Sequence, residues 1–362
     1  MNGHDQAVYD RAQELKRFDD TKAGVKGLVD SGVTKIPPIF VHPPENLSDL
    51  KPDPNARSVP IPVIDLAGFD PVRRDAVAEE VSRAAREHGF FQIVNHGVPA
   101  ATLYRTIAAV KTFHEQPAAE RERHYERNPT GLSVTYMSNV DLYQSKAASW
   151  RDTLTVRLGP DPPVREEVPE VCREMVEEWN REVVRIGEGV LGLLEEGLGL
   201  GTGRFRELSC LDGRIMVGHY YPYCPEPDRT VGLASHADPG VLTVLLQDHM
   251  GGLQIKYDGQ WLDVKPVPGA IVINVGDLLQ IMSNDEYKSV EHRVVANQFQ
   301  EPRVSVGVFL NPGKREDTYG PLPELVSPEK PAVYQQFTFS EFMRRFFTKE
   351  LDGKSLKNYF RV

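Results

Sequence analysis

Residues 232–248 read GLASHADPGVLTVLLQD. The second half is a short apolar run bounded by turn residues, which is the composition of a buried strand. At its head stand two titratable groups, His236 and Asp238, one residue apart. Residues i and i+2 of a strand share a face, so the pattern sets an imidazole beside a carboxylate where burial begins. Groups of this kind enter a core only when something pairs with them. A lone HxD is a weak signal, since a single buried histidine is more often a satisfied core residue.

The segments downstream add to it. His292 lies in the strand-like SVEHRVVA, residues 289–296, and two distant strands can face each other across a barrel. Two imidazoles and one carboxylate on one facet make the ligand set of a non-haem Fe(II) oxygenase, with coordination positions left open. Arg303 and Ser305, in EPRVSVGVF, are again at i and i+2, eleven residues past His292. A guanidinium on an inner face calls for an anion. It offers a planar fork to a carboxylate. An internal salt bridge satisfies that demand, and so does a dicarboxylic cosubstrate with one end on the metal. Upstream, in GHYYPYCP, His219 and Tyr221 share a face. Tyr221 either donates its phenol to the same cosubstrate or simply packs.

From about residue 210 the chain is a series of short β-branched and aromatic runs punctuated by turn residues, the pattern of an antiparallel sandwich or barrel. The half before it is helical in character. Residues 1–35 carry helical composition with a stop at Ser31-Gly32, apolar spacing marks a helix over 70–89, and two more helical stretches lie around 100–126 and 167–199. Between the first two of these, residues 36–62 are proline-rich and read as extended. GLGLGTG, residues 197–203, follows a helix instead of a strand, so it reads as a helix end and not a dinucleotide loop. TFSEFMRRFFTKEL, from residue 338, reads as an amphipathic helix capped by Thr338 or Ser340.

The 362 residues are 40% apolar and 26% charged, with a net charge of −10. That profile fits a soluble globular protein and argues against broad binding to nucleic acid or anionic membranes. Three widely spaced cysteines, Cys172, Cys210 and Cys224, fit a reducing compartment. The opening residues lack a signal-peptide core, and no apolar stretch approaches membrane-spanning length. A cytoplasmic protein acting on a small molecule, with no obligate protein partner, is the expectation.

HxD, the distal histidine in YKSVEHRV, RxS, the YYPYCPEP block and HGFFQIVNHGV (88–98) together resemble the plant 2-oxoglutarate- and Fe(II)-dependent dioxygenases. The likeness runs from about residue 61 to 347. The opening FDDTKAGVKGLVDSGVTKIPPIFVHP (18–43) is similar to the subgroup of 1-aminocyclopropane-1-carboxylate oxidase homologues, which includes the DIBOA-glucoside dioxygenase of benzoxazinoid biosynthesis. The resemblance implies a mainly β fold with flanking α: a double-stranded β-helix (jelly roll) core, a helical N-terminal half and a C-terminal helix. It divides the chain into an N-terminal helix and proline-rich extension (1–60), a mostly helical oxygenase region (61–209), the jelly-roll core (210–315) and a tail with a lid helix (316–362).

Residue by residue, the resemblance implies that His236, Asp238 and His292 hold Fe(II). It implies that Arg303, Ser305 and Tyr221 bind 2-oxoglutarate, and that Phe309, Asn311 and Tyr136 line the substrate pocket. O2 is the co-reactant and ascorbate the reductant. The expected reaction couples decarboxylation of 2-oxoglutarate to succinate with hydroxylation, demethylation, desaturation or ring closure of a plant specialised metabolite, a benzoxazinoid glucoside being one candidate. His219 stands where many relatives carry Asn, which leaves its role open. Two alternatives remain: an ascorbate-dependent 1-aminocyclopropane-1-carboxylate oxidase on the same iron site, and a non-catalytic metabolite-binding relative.

Overall fold

The computed structural model describes residues 9–47, 50, 61–67, 71–128, 131–348 and 356–362. Twelve strands build the core. They are β1 (Val63–Asp65), β2 (Phe90–Val94), β3 (Val134–Met137), β4 (Asp152–Gly159), β5 (Gly213–Tyr221), β6 (Val231–His236), β7 (Leu242–Gln247), β8 (Leu253–Tyr257), β9 (Gln260–Asp263), β10 (Ile271–Val275), β11 (His292–Val295) and β12 (Arg303–Asn311). Eight form one sheet in the order β1-β2-β10-β7-β12-β5-β4-β3, and four form a second in the order β6-β11-β8-β9. Strands distant in sequence are neighbours in space, and every pairing but β1 with β2 is antiparallel. This is the jelly-roll form of the double-stranded β-helix, with helices flanking it.

The large sheet is apolar on its outer face. Val304, Val306, Val308 and Leu310 of β12 join one core with Val183, Ile186, Val190 and Leu194 of the helix Arg173–Gly197. Those helix positions recur at three- and four-residue spacing, so they form one stripe along it. Phe113 of the helix Ala100–Glu115 enters the same core. Between the sheets, Phe90, Tyr221, Leu253, Ile255, Val272 and Val294 form a separate cluster.

Local chemistry explains where helices end. The helical composition of residues 1–35 resolves into two helices, Arg11–Asp20 and Gly24–Asp30, and its first part, 1–8, lies outside the described residues. Lys22, between them, and Gly24, which opens the second, have φ of 52° and 71°. A Cβ on Gly24 would lie 2.4 Å from Asp152 Oδ1, and the amides of Val25 and Lys26 donate to that carboxylate at 2.8 Å each. The proline-rich stretch is not wholly extended. Its prolines start a 3-10 turn, Pro38–Phe40, and a short helix, Pro44–Leu47, as proline's fixed φ allows at a first turn; the parts expected at 48–49 and 51–60 lie outside the described residues.

Pro117 ends the helix expected to reach 126 at Glu115, and a separate short one follows, Ala118–Glu122. GLGLGTG ends a helix: the buried Glu195 carboxylate accepts from the amides of Gly203 (2.8 Å) and Phe205 (2.6 Å) and so folds the turn. Of the two candidate caps on the C-terminal helix Phe339–Thr348, Thr338 does the capping, accepting from the Glu341 amide at 3.1 Å. Ser340 lies inside the helix, whose expected end at 349–351 is outside the described residues. Phe339 and Phe342 are buried, and Phe342 stacks with Phe337 at a ring distance of 5.0 Å.

Candidate metal and cosubstrate site

β6 ends on His236 and β11 begins on His292, and the two residues are directly paired. Their ring centroids are 4.3 Å apart. Asp238 is not part of the strand; it sits in the turn that follows, and its Oδ1 lies 3.5 Å from His236 Nε2 and 3.6 Å from His292 Nε2. The turn is held by close backbone packing. A Cβ on Gly276 would come within 2.1 Å of Gly240 O, and the Asp277 amide donates to Asp238 O at 2.7 Å.

The remaining atoms of the three side chains are occupied. His236 Nδ1 lies 2.9 Å from Ala234 O, and His292 Nδ1 lies 3.2 Å from Val290 O. A carbonyl accepts only from an N–H, so Nδ1 carries a proton in each ring and Nε2 is the nitrogen turned to Asp238. Asp238 Oδ2 accepts from Thr243 Oγ1 (2.5 Å) and Asn274 Nδ2 (2.8 Å), which leaves Oδ1 turned to the imidazoles. Partners of this kind fix ligand orientation in metal sites. Burial raises the carboxyl pKa of Asp238, but His292, His236 and Thr243 outweigh it and hold the group well below the usual carboxylate range. Burial, helped by His236 and opposed by Asp238, pulls His292 down to about 4. An ionised carboxylate and a neutral His292 imidazole are the protonation states a divalent ion needs. Cis ligands on an ion with bonds of about 2.1 Å lie about 3 Å apart. The donor set therefore fits a divalent metal with small side-chain shifts. The ligand atoms lie within 4.8 Å of one another, the one such His/Cys/Asp/Glu cluster found among the described residues.

Arg303 and Ser305 lie on the β12 face opposite the helices. Arg303 Nη1 donates to Ser305 Oγ (3.1 Å), Nη2 to Gln247 Oε1 (3.2 Å) and Nε to Gly251 O (2.5 Å). Its guanidinium lies 4.8 Å from the ring centre of Tyr221, the residue paired with it across the ladder. His219 is paired with Ser305, and its Nδ1 is 2.9 Å from Thr153 Oγ1. Burial first, then the positive fields of Arg151 and Arg303, press its pKa far down, so this ring is neutral.

Phe309, half-buried, is on the same β12 face, opposite Thr243. Asn311 follows two residues on, its Nδ2 3.4 Å from Phe309 O. Tyr136 departs from expectation. On β3 it pairs with Leu154, which pairs with Gly218, on the outer face of the sheet. It is fully buried against Phe113 (ring distance 5.6 Å), its hydroxyl accepting from Arg121 at 3.0 Å. Strand alternation turns its neighbours Thr135 and Met137 inward instead.

Four inward residues escaped the sequence reading: Thr243, Gln247, Asn274 and Thr153. The signal was there, since Thr243 and Gln247 are polar positions of equal parity in LTVLLQ, and Asn274 interrupts IVINV. No helix among the described residues is long and apolar enough to cross a membrane.

Comparison with known proteins agrees with this geometry. The family model for the 2OG-Fe(II) oxygenase superfamily matches residues 213–312. That for the N-terminal region of a non-haem dioxygenase in morphine synthesis matches residues 61–179. The 1-aminocyclopropane-1-carboxylate oxidase homologue 1 of Arabidopsis thaliana is 45% identical over 360 residues, 98% of each chain. Homologue 3 of the same plant is 44% identical over 362 residues, again 98% of each. Among solved structures, JOX2 in complex with 2OG, Fe and JA is 31% identical with a TM-score of 0.82, over 94% of this chain and 97% of that one. The rice dioxygenase for auxin oxidation is 27% identical with a TM-score of 0.67, over 83% and 100%. With near-complete coverage at that identity, this chain belongs to the 2OG-Fe(II) oxygenase superfamily, among the 1-aminocyclopropane-1-carboxylate oxidase homologues.

Proposed function

We propose that this 2-oxoglutarate-dependent dioxygenase oxidises a small plant specialised metabolite, with His236, Asp238 and His292 holding Fe(II) and Arg303 and Ser305 gripping the distal carboxylate of 2-oxoglutarate. The observation that carries the reading is the convergence of Asp238 Oδ1 and two Nε2 atoms, with every other polar atom of those side chains already bonded. Ferrous iron, when bound there, supplies O2 chemistry that converts 2-oxoglutarate to succinate and CO2 while oxidising a C–H bond. The chain's own residues supply aim. The Arg303 fork, backed by Gln247 and Gly251 O, is pre-set for a carboxylate, and Tyr221 closes one side of it. Phe309 and Asn311 line the substrate end of the lumen, and ascorbate serves as reductant in the cytoplasm.

A benzoxazinoid glucoside such as DIBOA-glucoside is the substrate to test first, on the likeness of residues 18–43 to that subgroup. Succinate release stimulated by one metabolite in a plant-metabolite panel is the expected result; no stimulation by any, with Fe(II) bound, sinks the catalytic reading. In Arg303→Lys the charge stays but the fork is lost. The KM for 2-oxoglutarate should rise about tenfold or more, the loss of one charged hydrogen bond. An unchanged KM removes Arg303 from the cosubstrate site.

A further inference from the structure

A second guanidinium has the strand parity of the lumen side, and two of its three nitrogens are buried with no hydrogen-bond partner among the described residues. Arg151 immediately precedes β4. On one side of it, the Trp150 amide donates to Val231 O at 2.8 Å; on the other, Asp152 pairs with Tyr220. Alternation along β4 sends Asp152 to the helix side, where Ser138 and the amides of Val25 and Lys26 saturate its carboxylate. Thr153 goes to the lumen side, onto His219. Arg151 has the parity of Thr153, in the row that continues through Tyr221 to Arg303. It is 5% exposed, and its Nε and Nη1 are buried without any hydrogen-bond partner. Its field on the His219 ring outranks that of Arg303, in keeping with this place in the lumen.

The contrast with Arg303 identifies the ligand. Arg303 makes three hydrogen bonds to the protein. An arginine does not shed its proton when buried, so an unpaired one is costly unless an anion arrives. In the reading above, one carboxylate of 2-oxoglutarate goes to the metal site and the other to Arg303 and Ser305. Neither assignment uses Arg151, which is therefore available to another anion. We propose that Arg151 is a specificity residue that binds a singly charged, planar oxyanion on the primary substrate, a carboxylate or a deprotonated cyclic hydroxamate. This rests on the metal and cosubstrate reading and narrows its substrate class to acidic metabolites.

The test titrates the Fe(II) and 2-oxoglutarate holoenzyme, without oxygen, by calorimetry against matched pairs. These are benzoate with methyl benzoate, and 4-hydroxy-1,4-benzoxazin-3-one with the lactam lacking its N-hydroxyl, above the hydroxamic acid's pKa. At least one anion should bind more tightly than its neutral partner. R151Q should weaken that anion about 10–100-fold, the worth of a charged, forked contact, and leave the neutral partner and 2-oxoglutarate within about twofold. Should R151Q fail to fold, R151K carries the test, keeping the charge and losing about tenfold with the fork. Equal or absent binding of both members of every pair in the wild type overturns the proposal. So does an anion preference that survives in R151Q, and so does a loss of 2-oxoglutarate affinity in place of anion affinity. Wild-type protein that fails to bind Fe(II) or 2-oxoglutarate overturns the underlying site; intact cosubstrate binding without anion preference overturns this inference alone.

Discussion

β12 has two faces, and they do different work. Outward, Val304, Val306, Val308 and Leu310 are buried in the core shared with the helices. Inward, Arg303, Ser305, Phe309 and Asn311 meet polar or half-buried surroundings. Each fully buried aliphatic on the outer face contributes about 1.5–3 kcal/mol. The inner face holds charges and amides that cost stability unless partnered. Alternation places the two sets 180° apart on one strand, so stability and chemistry can be perturbed separately.

The widest expected separation comes from Asp238→Ala. Losing the partner of a metal ligand typically costs 10–100-fold, so losing the only anionic ligand should cost more, about a thousandfold or greater in succinate release. The far-UV circular dichroism should not change, because the apolar outer face is untouched. Turnover near the wild-type rate would remove Asp238 from the metal site; an unfolded protein would show that the lumen also carries the fold. The converse change is Phe113→Ala, on the helix side. It should cost about 3–5 kcal/mol of unfolding free energy. The folded fraction should keep its KM for 2-oxoglutarate. A stability loss under about 1 kcal/mol, or a raised KM, would break the division between faces.

How far the sequence was legible follows the same division. Alternation, a local rule, suffices for Arg303 and Ser305, which share one strand; it does not place HxD, because β6 ends at His236 and the turn after it brings Asp238 back to the imidazoles. What could not be read is what depends on pairing. That His236 faces His292 is a register between strands 56 positions apart. Parity within VTYM is equally compatible with Tyr136 inward or outward; only pairing through β4 to β5 fixes it outward. Arg151 stands just outside its strand, next to an aspartate that suggests a ready salt bridge, and only the opposite orientation of Asp152 leaves two of the arginine's nitrogens unpaired. Helix ends depended likewise on distant acceptors: Asp152 caps a helix 126 residues away.

The smallest expected effect probes a titratable group on the helix side. His114 is fully buried, stacked on Tyr220 at 5.1 Å. One ring nitrogen lies 3.1 Å from Gly218 O and the other has no partner. Burial, aided by Arg121 and opposed by the Gly218 bond, pulls its pKa from 6.5 to about 3. Below pH 6.5 the unfolded chain takes up a proton there that the folded protein refuses, so stability falls as pH drops from 6.5 towards 3. Between pH 7 and pH 5 that amounts to about 2 kcal/mol, at 1.4 kcal/mol per pH unit. His114→Phe removes the titration and keeps the stacked ring, at a cost of about 1 kcal/mol for the lost hydrogen bond. Denaturant melts of both proteins at pH 7 and pH 5 should therefore show the variant losing about 2 kcal/mol less on acidification. Equal losses would mean that His114 is protonated in the folded protein, and that the helix side is less dry than its packing indicates.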